Sequence, residues 1–508
     1  MTENKGILNN IIIVIAITIL AKFVSFLANI VVAMYLGLSV ESDAYSMLIG
    51  IHNVFYPMLS VGIWKIFLPE YNKKIIADGL VEAGRYANKL MSWFLLLSIA
   101  VVLIFWFNSN IIVDFMAPGF DAETKAISAN LFKLASPQYI FIIIAAFYSV
   151  MLQANNKFFA SQIREVVTFI PFILFFISFY KKIGITACAY GLILGAIARF
   201  FVQIPFVDWG YKFKFDYGDL NSDFWGFIKK MPNVLFSTSI GQLNLVIINV
   251  LASGLGVGTI ASLGYAARLN NVFNGLISYA IGVVIYPIIA KYVSLNDKKR
   301  ISELLNEAFG AIGFFILPIS FFCNLFAKDI VAIVYERGIF DSLASELTGS
   351  IFAVLAFGMF FSGLLDIFFN FYYAFGNTKI PLGVSFVLVI TNVIIGFTLS
   401  SRYGVMGLVF STVFALFLGI GILMFFFNKY IDFPYKSAFT EQSKIILSSG
   451  ISWIITKGLS HFLLLGSVFL KVFTLVIVFF IIYLLMLYFI KSVYIKKYYF
   501  ILKTKVIH

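Results

Sequence analysis

The sequence predicts an all-α polytopic membrane protein of about fourteen transmembrane helices, in two pseudo-symmetric six-helix lobes followed by two C-terminal helices. Three observations lead to this fold class: the composition, the recurrence of apolar runs and an internal repeat. Of 508 residues, 61% are hydrophobic and only 12% are charged, whereas soluble domains are about 25% charged. Mean hydropathy is +0.98. Apolar runs of about 20 residues, the length of a helical bilayer span, recur along the whole chain.

Charged residues and clusters of Gly and Pro separate the apolar runs into fourteen predicted spans. In chain order these cover residues 8–36, 44–68, 89–107, 131–152, 163–180, 184–206, 232–253, 262–289, 306–326, 346–374, 380–400, 404–427, 445–460 and 464–490. The start of the chain, MTENKG, is polar but not basic, and no small-residue cleavage site follows it. We therefore expect the first apolar run to be a retained span.

The loop charges predict the orientation of these spans. With residues at span edges counted in the adjacent loop, the termini and even-numbered loops carry 24 Lys and Arg, and the odd-numbered loops carry 7. Basic residues are enriched in cytoplasmic loops, so both termini are expected in the cytoplasm. Most of the net charge of +13 is then explained by this orientation, with basic loops that face anionic membrane lipids. We therefore expect no nucleic-acid partner.

The internal repeat appears at a fixed offset of 218 residues. The aligned residues are Asn53-Val54-Phe55 with Asn271-Val272-Phe273, Ser60 with Ser278, and Pro69 with Pro287. A weaker similarity links "QANNKFF" with "AFGNTKIP", and each precedes a Gly-bearing helix, "KKIGITACAYG" and "SSRYGVMGL". Duplicated lobes of this kind are typical of transporters.

The repeat divides the chain into predicted domains. These are an N-lobe over residues 1–206 (spans 1–6), a cytoplasmic inter-lobe linker over 207–231, a C-lobe over 232–430 (spans 7–12), and spans 13 and 14 with a basic cytoplasmic tail over 431–508.

Polar residues form a stripe on the first span. Thr18, Lys22, Ser25 and Asn29 recur at helical spacing on one face. A lysine at the centre of an apolar helix costs about 3 kcal/mol on insertion scales, so this face must contact protein or a water-filled cavity. Span 8 carries a second stripe, made of Arg268, Asn271, Gly275 and Ser278.

Two cationic stripes, one near the start of each lobe, predict a cavity between the lobes with a positive wall. Such a cavity selects an anionic substrate, and the ammonium and guanidinium groups both suit phosphate. The predicted cavity residues are Lys22, Arg268, Asn29 and Asp43, and further Ser25, Asn53, Lys65, Asn244 and Asn271.

Each of these residues also has a structural interpretation. Lys65 and Arg199 lie near span ends, where long basic side chains extend to the lipid headgroups. The Asn and Ser side chains could instead bond neighbouring helices. Asp43 could be the N-cap of span 2.

Catalytic and metal-binding motifs are absent from the sequence. Cys188 and Cys323 lie in apolar stretches, and the three His match no metal spacing. Three aspartates of the inter-lobe segment, Asp216, Asp219 and Asp223, are spaced as in a solvated linker. We predict no catalytic residue and no metal site.

Over most of residues 8–430 the sequence resembles the MurJ/MviN lipid II flippases of the MOP transporter superfamily. The resembling segments include "AKFVSFLANIVVAMYLG" followed by "SDAY", "MAPGFDAET", "QLNLVIINVLASGLGVGTIASLGYAARLNNVFNGLISYAIGVVIYP", "ERGIFDS" and "FYYAFGNTKIP". No single segment is specific, but their order along the chain is.

The resemblance implies a MATE/MOP-like fold and a flippase that moves the undecaprenyl-diphosphate-linked peptidoglycan precursor, lipid II, from the inner to the outer leaflet by alternating access. Cavity residues would bind the diphosphate, and no cofactor is implied. Coupling to Na⁺, H⁺ or the membrane potential stays open. The implied setting is the bacterial cytoplasmic membrane, with a monomer that contacts membrane lipids and the cell-wall synthesis machinery.

Three residues match the family's functional positions. Lys22 takes the place of a family arginine, Asp43 matches an aspartate, and Arg268 matches the arginine of a "YA-x-RL" motif. At three other positions the family charge is missing, and the residues there are Ala28, Tyr56 and Ile248. Diphosphate binding is therefore assigned to Lys22, Arg268, Asn29 and Asp43.

Three alternatives to lipid II flipping follow from the same sequence. A paralogue with the same fold could flip another polyprenyl-diphosphate-linked glycan, of the O-antigen or capsule type. A MATE-like cation-coupled exporter expects acidic cavity residues, which the two cations disfavour. A membrane glycosyltransferase would need a clustered acidic motif, and the sequence has none.

Overall fold

A computed structural model describes residues 2–218, 222–462 and 467–495 of the chain, and every regular element in them is helical. The α-helices are α1 (Thr2–Leu36), α2 (Val40–Met116), α3 (Ala122–Ala135), α4 (Gln138–Ala154), α5 (Phe158–Ile183), α6 (Thr186–Phe201), α7 (Ser222–Ser253), α8 (Thr259–Ser294), α9 (Lys298–Leu325), α10 (Ala327–Tyr335), α11 (Ser342–Ala374), α12 (Lys379–Tyr403), α13 (Val405–Phe427), α14 (Tyr435–Phe462) and α15 (Val468–Phe489). A 3₁₀ turn, Ile204–Phe206, follows α6. The predicted all-α class is confirmed.

Many of these helices have the length and composition of membrane spans. Nine of the described helices qualify, and ten do if α3 and α4, which meet at a bend of 42°, count as one span. The protein is therefore a multi-pass membrane protein. The total of fourteen spans stays a prediction.

Helix α2 differs from the sequence prediction. It contains both predicted spans 44–68 and 89–107 together with the residues between them, which were expected to form a loop. That intervening segment is helical except at Gly79, where φ is 84° and the helix axis breaks. The connection predicted between these two spans is therefore largely helical, with its break at Gly79, because a charged sequence such as "EYNKKIIADGLVEAGRYANK" continues a helix beyond the bilayer as readily as it forms an irregular loop.

The ends of α4 and α11 share one backbone motif. At the first, Asn156 has a φ of 60° and its N–H donates to Gln153 O at 3.0 Å, while Lys157 N–H donates to Leu152 O at 2.8 Å. At the second, Gly376 has a φ of 71° and donates to Tyr373 O at 2.9 Å, followed by Asn377 to Tyr372 O at 2.9 Å. Both are Schellman-type C-caps. The two turns lie within the segments "QANNKFF" and "AFGNTKIP", whose sequences are only weakly similar.

The turns after α5 and α12 also match. Gly184 has φ 60° and ψ −146°, and Gly404 has φ 58° and ψ −139°. Each caps the preceding helix, with N–H···O distances of 2.8 Å to Tyr180 and 2.9 Å to Ser400. A Cβ is disfavoured in this backbone region, so both turns require glycine.

The chain divides into two compact units, Met1–Ala261 and Ser262–His508. In the first unit, α2 and α4 pack against the first turns of α7 through aromatic side chains. Phe94 lies 5.4 Å from Phe147 and 5.5 Å from Phe227, measured between ring centroids. A second core joins α2 with α1, α3, α5 and α6.

The segment predicted as the inter-lobe linker lies along α2. Tyr211 donates its hydroxyl to Asn88 Oδ1 at 2.6 Å, and Asp216 N–H donates to Ser92 Oγ at 2.9 Å. Trp93 and Tyr217 meet edge to face at 5.8 Å. These contacts anchor residues 211–217 to the first unit. The predicted domain boundaries themselves stay predictions.

The second unit is held together partly by side-chain hydrogen bonds between helices. Tyr483 of α15 donates to Phe314 O of α9 at 2.9 Å, and Gln442 of α14 donates to Phe309 O at 2.9 Å. Tyr372 of α11 donates to Leu423 O of α13 at 2.7 Å. The two C-terminal helices α14 and α15 therefore pack on α9.

The glycine turn between α12 and α13 gives a stability prediction. Replacement of Gly404 by Ala places a Cβ at positive φ, and we expect the unfolding free energy to fall by about 1–3 kcal/mol. The measurement is thermal unfolding of the purified protein in detergent. The matched control is Gly421→Ala in α13, where an added Cβ meets no atom within 4 Å. Equal melting temperatures for the two variants would contradict this account of the turn.

Candidate functional site

The polar stripe of α1 lies in the first unit. Lys22 is exposed, and Ser25 and Asn29 are half-buried. Thr18 Oγ1 donates to Val14 O at 2.7 Å and Asn29 Nδ2 donates to Ser25 O at 2.8 Å. These two side chains are thus bonded to their own helix, which lowers the cost of a polar face in the membrane.

Asp43 accepts hydrogen bonds from the backbone at the start of α8. Its side chain is buried, with 1% exposure. Oδ2 accepts from Gly258 N–H at 2.5 Å, and Oδ1 accepts from Ala261 N–H at 2.8 Å. A carboxylate at a helix N-terminus satisfies N–H groups that have no intrahelical acceptor and opposes the positive end of the helix dipole. Asp43 thereby joins the first turn of α2 to the first turn of α8.

The N-cap interpretation of Asp43 is wrong. The N-cap of α2 is Ser39, whose Oγ accepts from Ser42 N–H at 3.2 Å. Asp43 lies within the first turn and caps a different helix, more than 200 positions later in the sequence. A local pattern cannot distinguish these two roles, because both place an acidic residue near a helix start.

Arg268 lies six residues after Ser262, the start of the second unit. It is half-buried, and its guanidinium carbon lies 5.4 Å from the centroid of the Tyr265 ring. Its Nη1 is buried and has no acceptor among the residues that the structure describes. A buried guanidinium N–H without an acceptor favours an anionic ligand.

The other predicted cavity residues differ in burial. Asn53 and Lys65 of α2 and Asn271 of α8 are exposed, and Asn244 of α7 is half-buried. The exposure of Lys65 agrees with the interpretation that its side chain extends to the lipid headgroups. Among the predicted site residues, Ser25 and Asn29 share a hydrogen bond, and Lys22 lies on the same helix face.

Arg199 does not extend to the headgroups, so that interpretation of it is wrong. It is 4% exposed and forms an ion pair with Glu165 of α5. Its guanidinium also donates to the hydroxyl of Tyr56 and lies 4.9 Å from the centroid of that ring. The Tyr56 hydroxyl in turn donates to Glu165 Oε1 at 3.2 Å. The position of Arg199 near a span end does not reveal these partners, because only the tertiary fold brings Tyr56 of α2 and Glu165 of α5 next to it.

This buried cluster is the site feature that the sequence analysis missed. It also contains Arg164, whose Nη2 lies 3.4 Å from Glu165 Oε1, and His52, whose ring stacks on Tyr56 at 5.2 Å. Adjacent Arg and Glu in an apolar span are a usable signal, since ionisable residues inside the membrane are rare and functional. The pairing of Glu165 with Arg199 could not be predicted from the sequence, because it depends on how α5 and α6 pack.

No group of three or more His, Cys, Asp or Glu among the described residues is placed to hold a metal ion. The described polar groups instead supply cations and amide donors. Groups of this kind can bind anions.

Known proteins are similar to this chain over most of its length. The model of the family described as "Lipid II flippase MurJ" matches residues 32–491. The lipid II flippase MurJ of Thermosipho africanus is 25% identical over 410 residues, covering 80% of this chain and 83% of that protein. A probable lipid II flippase MurJ of Treponema pallidum is 23% identical over 478 residues, covering 91% and 90%.

Solved structures show the same fold. A lipid II flippase MurJ in an inward closed conformation superposes with a TM-score of 0.81 at 24% identity, over 94% of this chain and 98% of that one. An inward-facing multidrug-resistance MATE transporter of the MOP superfamily gives 0.68 at 12% identity, over 82% and 98%. The predicted MATE/MOP-like fold is confirmed.

The Asp43 contact gives a second prediction. In Asp43→Asn one acceptor oxygen and the negative charge are lost beside two backbone N–H groups, and we expect a loss of about 1–3 kcal/mol of stability. Thermal unfolding in detergent measures it. The control is Asp121→Asn: Asp121 caps its own helix α3 through Thr124 N–H at 2.7 Å, where Asn caps nearly as well. A control that lost as much stability as Asp43→Asn would refute the special role of Asp43.

Proposed function

The chain belongs to the lipid II flippase MurJ family, and from this premise we propose that it translocates lipid II across the cytoplasmic membrane of a bacterium. The observation that carries the proposal is the extent of the family match, which runs through both compact units and most of the described helices. Under this proposal the chain is a transporter and carries no catalytic residue.

The chemistry of the substrate fits the cations of the two stripes. Lipid II carries a diphosphate between its lipid and its sugars, and an anion of this kind needs compensation inside a bilayer. Lys22 offers a point charge on the same helix face as Thr18 and Asn29, whose side chains bond to their own helix. Arg268 offers a guanidinium whose Nη1 has no acceptor among the described residues. Charge-assisted contacts of this type contribute about 1.5–3 kcal/mol each.

We propose that Lys22 and Arg268 bind the diphosphate and that Asn29 contributes a polar contact. Asp43 already accepts hydrogen bonds from two backbone N–H groups at the start of α8. It would therefore act by holding that helix start in place and not by contacting the substrate. Ser25, Asn53, Lys65, Asn244 and Asn271 remain proposed cavity residues.

The proposed transport cycle is alternating access in a monomer. Both termini would lie in the cytoplasm, since basic residues are concentrated in the termini and even-numbered loops. No cofactor is proposed, and a Na⁺ or H⁺ gradient or the membrane potential would drive the cycle. Contact with the cell-wall synthesis machinery is proposed because it supplies and consumes the substrate.

Complementation of a bacterial strain depleted of its lipid II flippase tests the proposed substrate. Rescue of growth and of labelled lipid II delivery to the outer leaflet is expected. A well-expressed protein that fails to rescue would instead support the flipping of another polyprenyl-diphosphate-linked glycan.

The cation prediction uses the same assay. We expect Lys22→Ala and Arg268→Ala each to lower lipid II delivery by about tenfold or more, because each removes a charge-assisted contact worth over 1.4 kcal/mol. Membrane insertion should be unchanged, as judged by the amount of folded protein in the membrane fraction. Lys182→Ala is the control, since that lysine lies in the last turn of α5 and is exposed. Normal lipid II delivery by both variants would show that Lys22 and Arg268 do not bind the substrate.

A further inference from the structure

A cluster of ionisable side chains in the first unit has more positive than negative charge. Arg164 and Glu165 come from α5, Arg199 from α6 and Tyr56 from α2. Glu165 accepts from Arg199 and from the Tyr56 hydroxyl, and it forms an ion pair with Arg164. Two cations thus share one carboxylate, which leaves one positive charge without a counter-ion among these groups.

The two arginines are used differently. Arg199 is 4% exposed and bonds both Glu165 and Tyr56. Arg164 has a single ion-pair contact, at 3.4 Å, and its side chain keeps 13% exposure. Its Nε and Nη1 are buried and have no acceptor among the described residues, whereas Arg199 has one such atom, Nε. Donors of a charged group that lack an acceptor carry a large desolvation penalty, which an anion would remove.

The cluster lies next to the turn of α1 that carries Lys22. Ile163 and Val166, which flank the Arg164–Glu165 pair on α5, pack with Ala21 and Val24 of α1. Lys22 directly follows Ala21 in the sequence. Two cations on adjacent helices are therefore held at the same level of the first unit by apolar packing. A diphosphate, with two phosphoryl groups, presents more anionic oxygens than one lysine can compensate.

We propose that Arg164 is a second diphosphate-binding residue, which donates from Nε or Nη1 to a phosphoryl oxygen of the lipid-linked substrate. The inference rests on the proposed function. Glu165 serves as the counter-ion of Arg164 when the site is empty, and Arg199 and Tyr56 hold Glu165 in position. When substrate binds, Glu165 keeps Arg199 as its partner, so the release of Arg164 leaves no carboxylate unpaired.

Binding of undecaprenyl diphosphate to the full-length protein in lipid nanodiscs tests this inference. Compared with the unaltered protein, Arg164→Gln should bind this lipid about tenfold or more weakly, because one charged donor is lost. Undecaprenol, which has the same tail and no phosphate, should bind both proteins equally. Arg85→Gln is the matched control, since Arg85 is an exposed arginine of the same unit, paired with Glu82 on its own helix. Its affinity should not change.

Two results would overturn the inference. One is an unchanged affinity of Arg164→Gln for the diphosphate. The other is an equal loss for diphosphate and undecaprenol, which would show that Arg164 acts only in packing.

A second variant keeps the test valid if Arg164→Gln does not fold. Glu165→Gln removes the competing carboxylate, so its affinity for undecaprenyl diphosphate should rise several-fold while undecaprenol binding stays constant. An unchanged or lower diphosphate affinity would contradict the role of Arg164.

The probe also separates this inference from the proposed function. Undecaprenyl diphosphate carries no sugar, so its binding does not depend on which glycan is moved. If the unaltered protein does not bind it, the proposed function fails. If the unaltered protein binds it and delivers lipid II, and Arg164→Gln does both equally well, only the inference fails.

Discussion

The absence of water from the hydrocarbon core is the constraint on which this structure depends. A polar group in that region must find its partner within the protein, since an unsatisfied group costs several kcal/mol. Three described arrangements meet this requirement. Thr18 and Asn29 bond the carbonyls of their own helix, Asp43 accepts two backbone N–H groups of another helix start, and Glu165 gathers two guanidiniums and a hydroxyl. The first is local in the sequence, whereas each of the other two includes partners more than 30 positions apart.

The same constraint explains where the chain turns. A helix end leaves carbonyls without intrahelical donors, and α4, α5, α11 and α12 all end in compact caps that use the next backbone N–H groups. The caps after α4 and α11 match, and so do those after α5 and α12, with both pairs separated by 220 positions. Similar local backbone at equal spacing is structural evidence of the internal repeat, although few residues in those segments are identical.

Charge placement connects the fold with the proposed function. Several buried polar side chains of the described residues lack a hydrogen-bond partner, and Arg164 and Arg268 are charged residues with N–H groups of this kind. A protein under selection for stability alone would replace such groups with apolar ones, because burial of an uncompensated charge is costly. Their retention is understandable if a phosphorylated ligand completes them during each transport cycle.

The sequence by itself determined the fold class, since about 20 consecutive apolar residues in a bilayer have no stable alternative to a helix. It also located the polar face of α1, because helical periodicity places Thr18, Lys22, Ser25 and Asn29 on one side wherever the helix lies. Tertiary structure alone decided the partners. Ser39 took the N-cap position expected for Asp43, which reaches the start of α8 instead, and Arg199 turned inward to Glu165. Local patterns report which face a residue occupies, but the energy of a buried charge depends on groups that only folding brings near it.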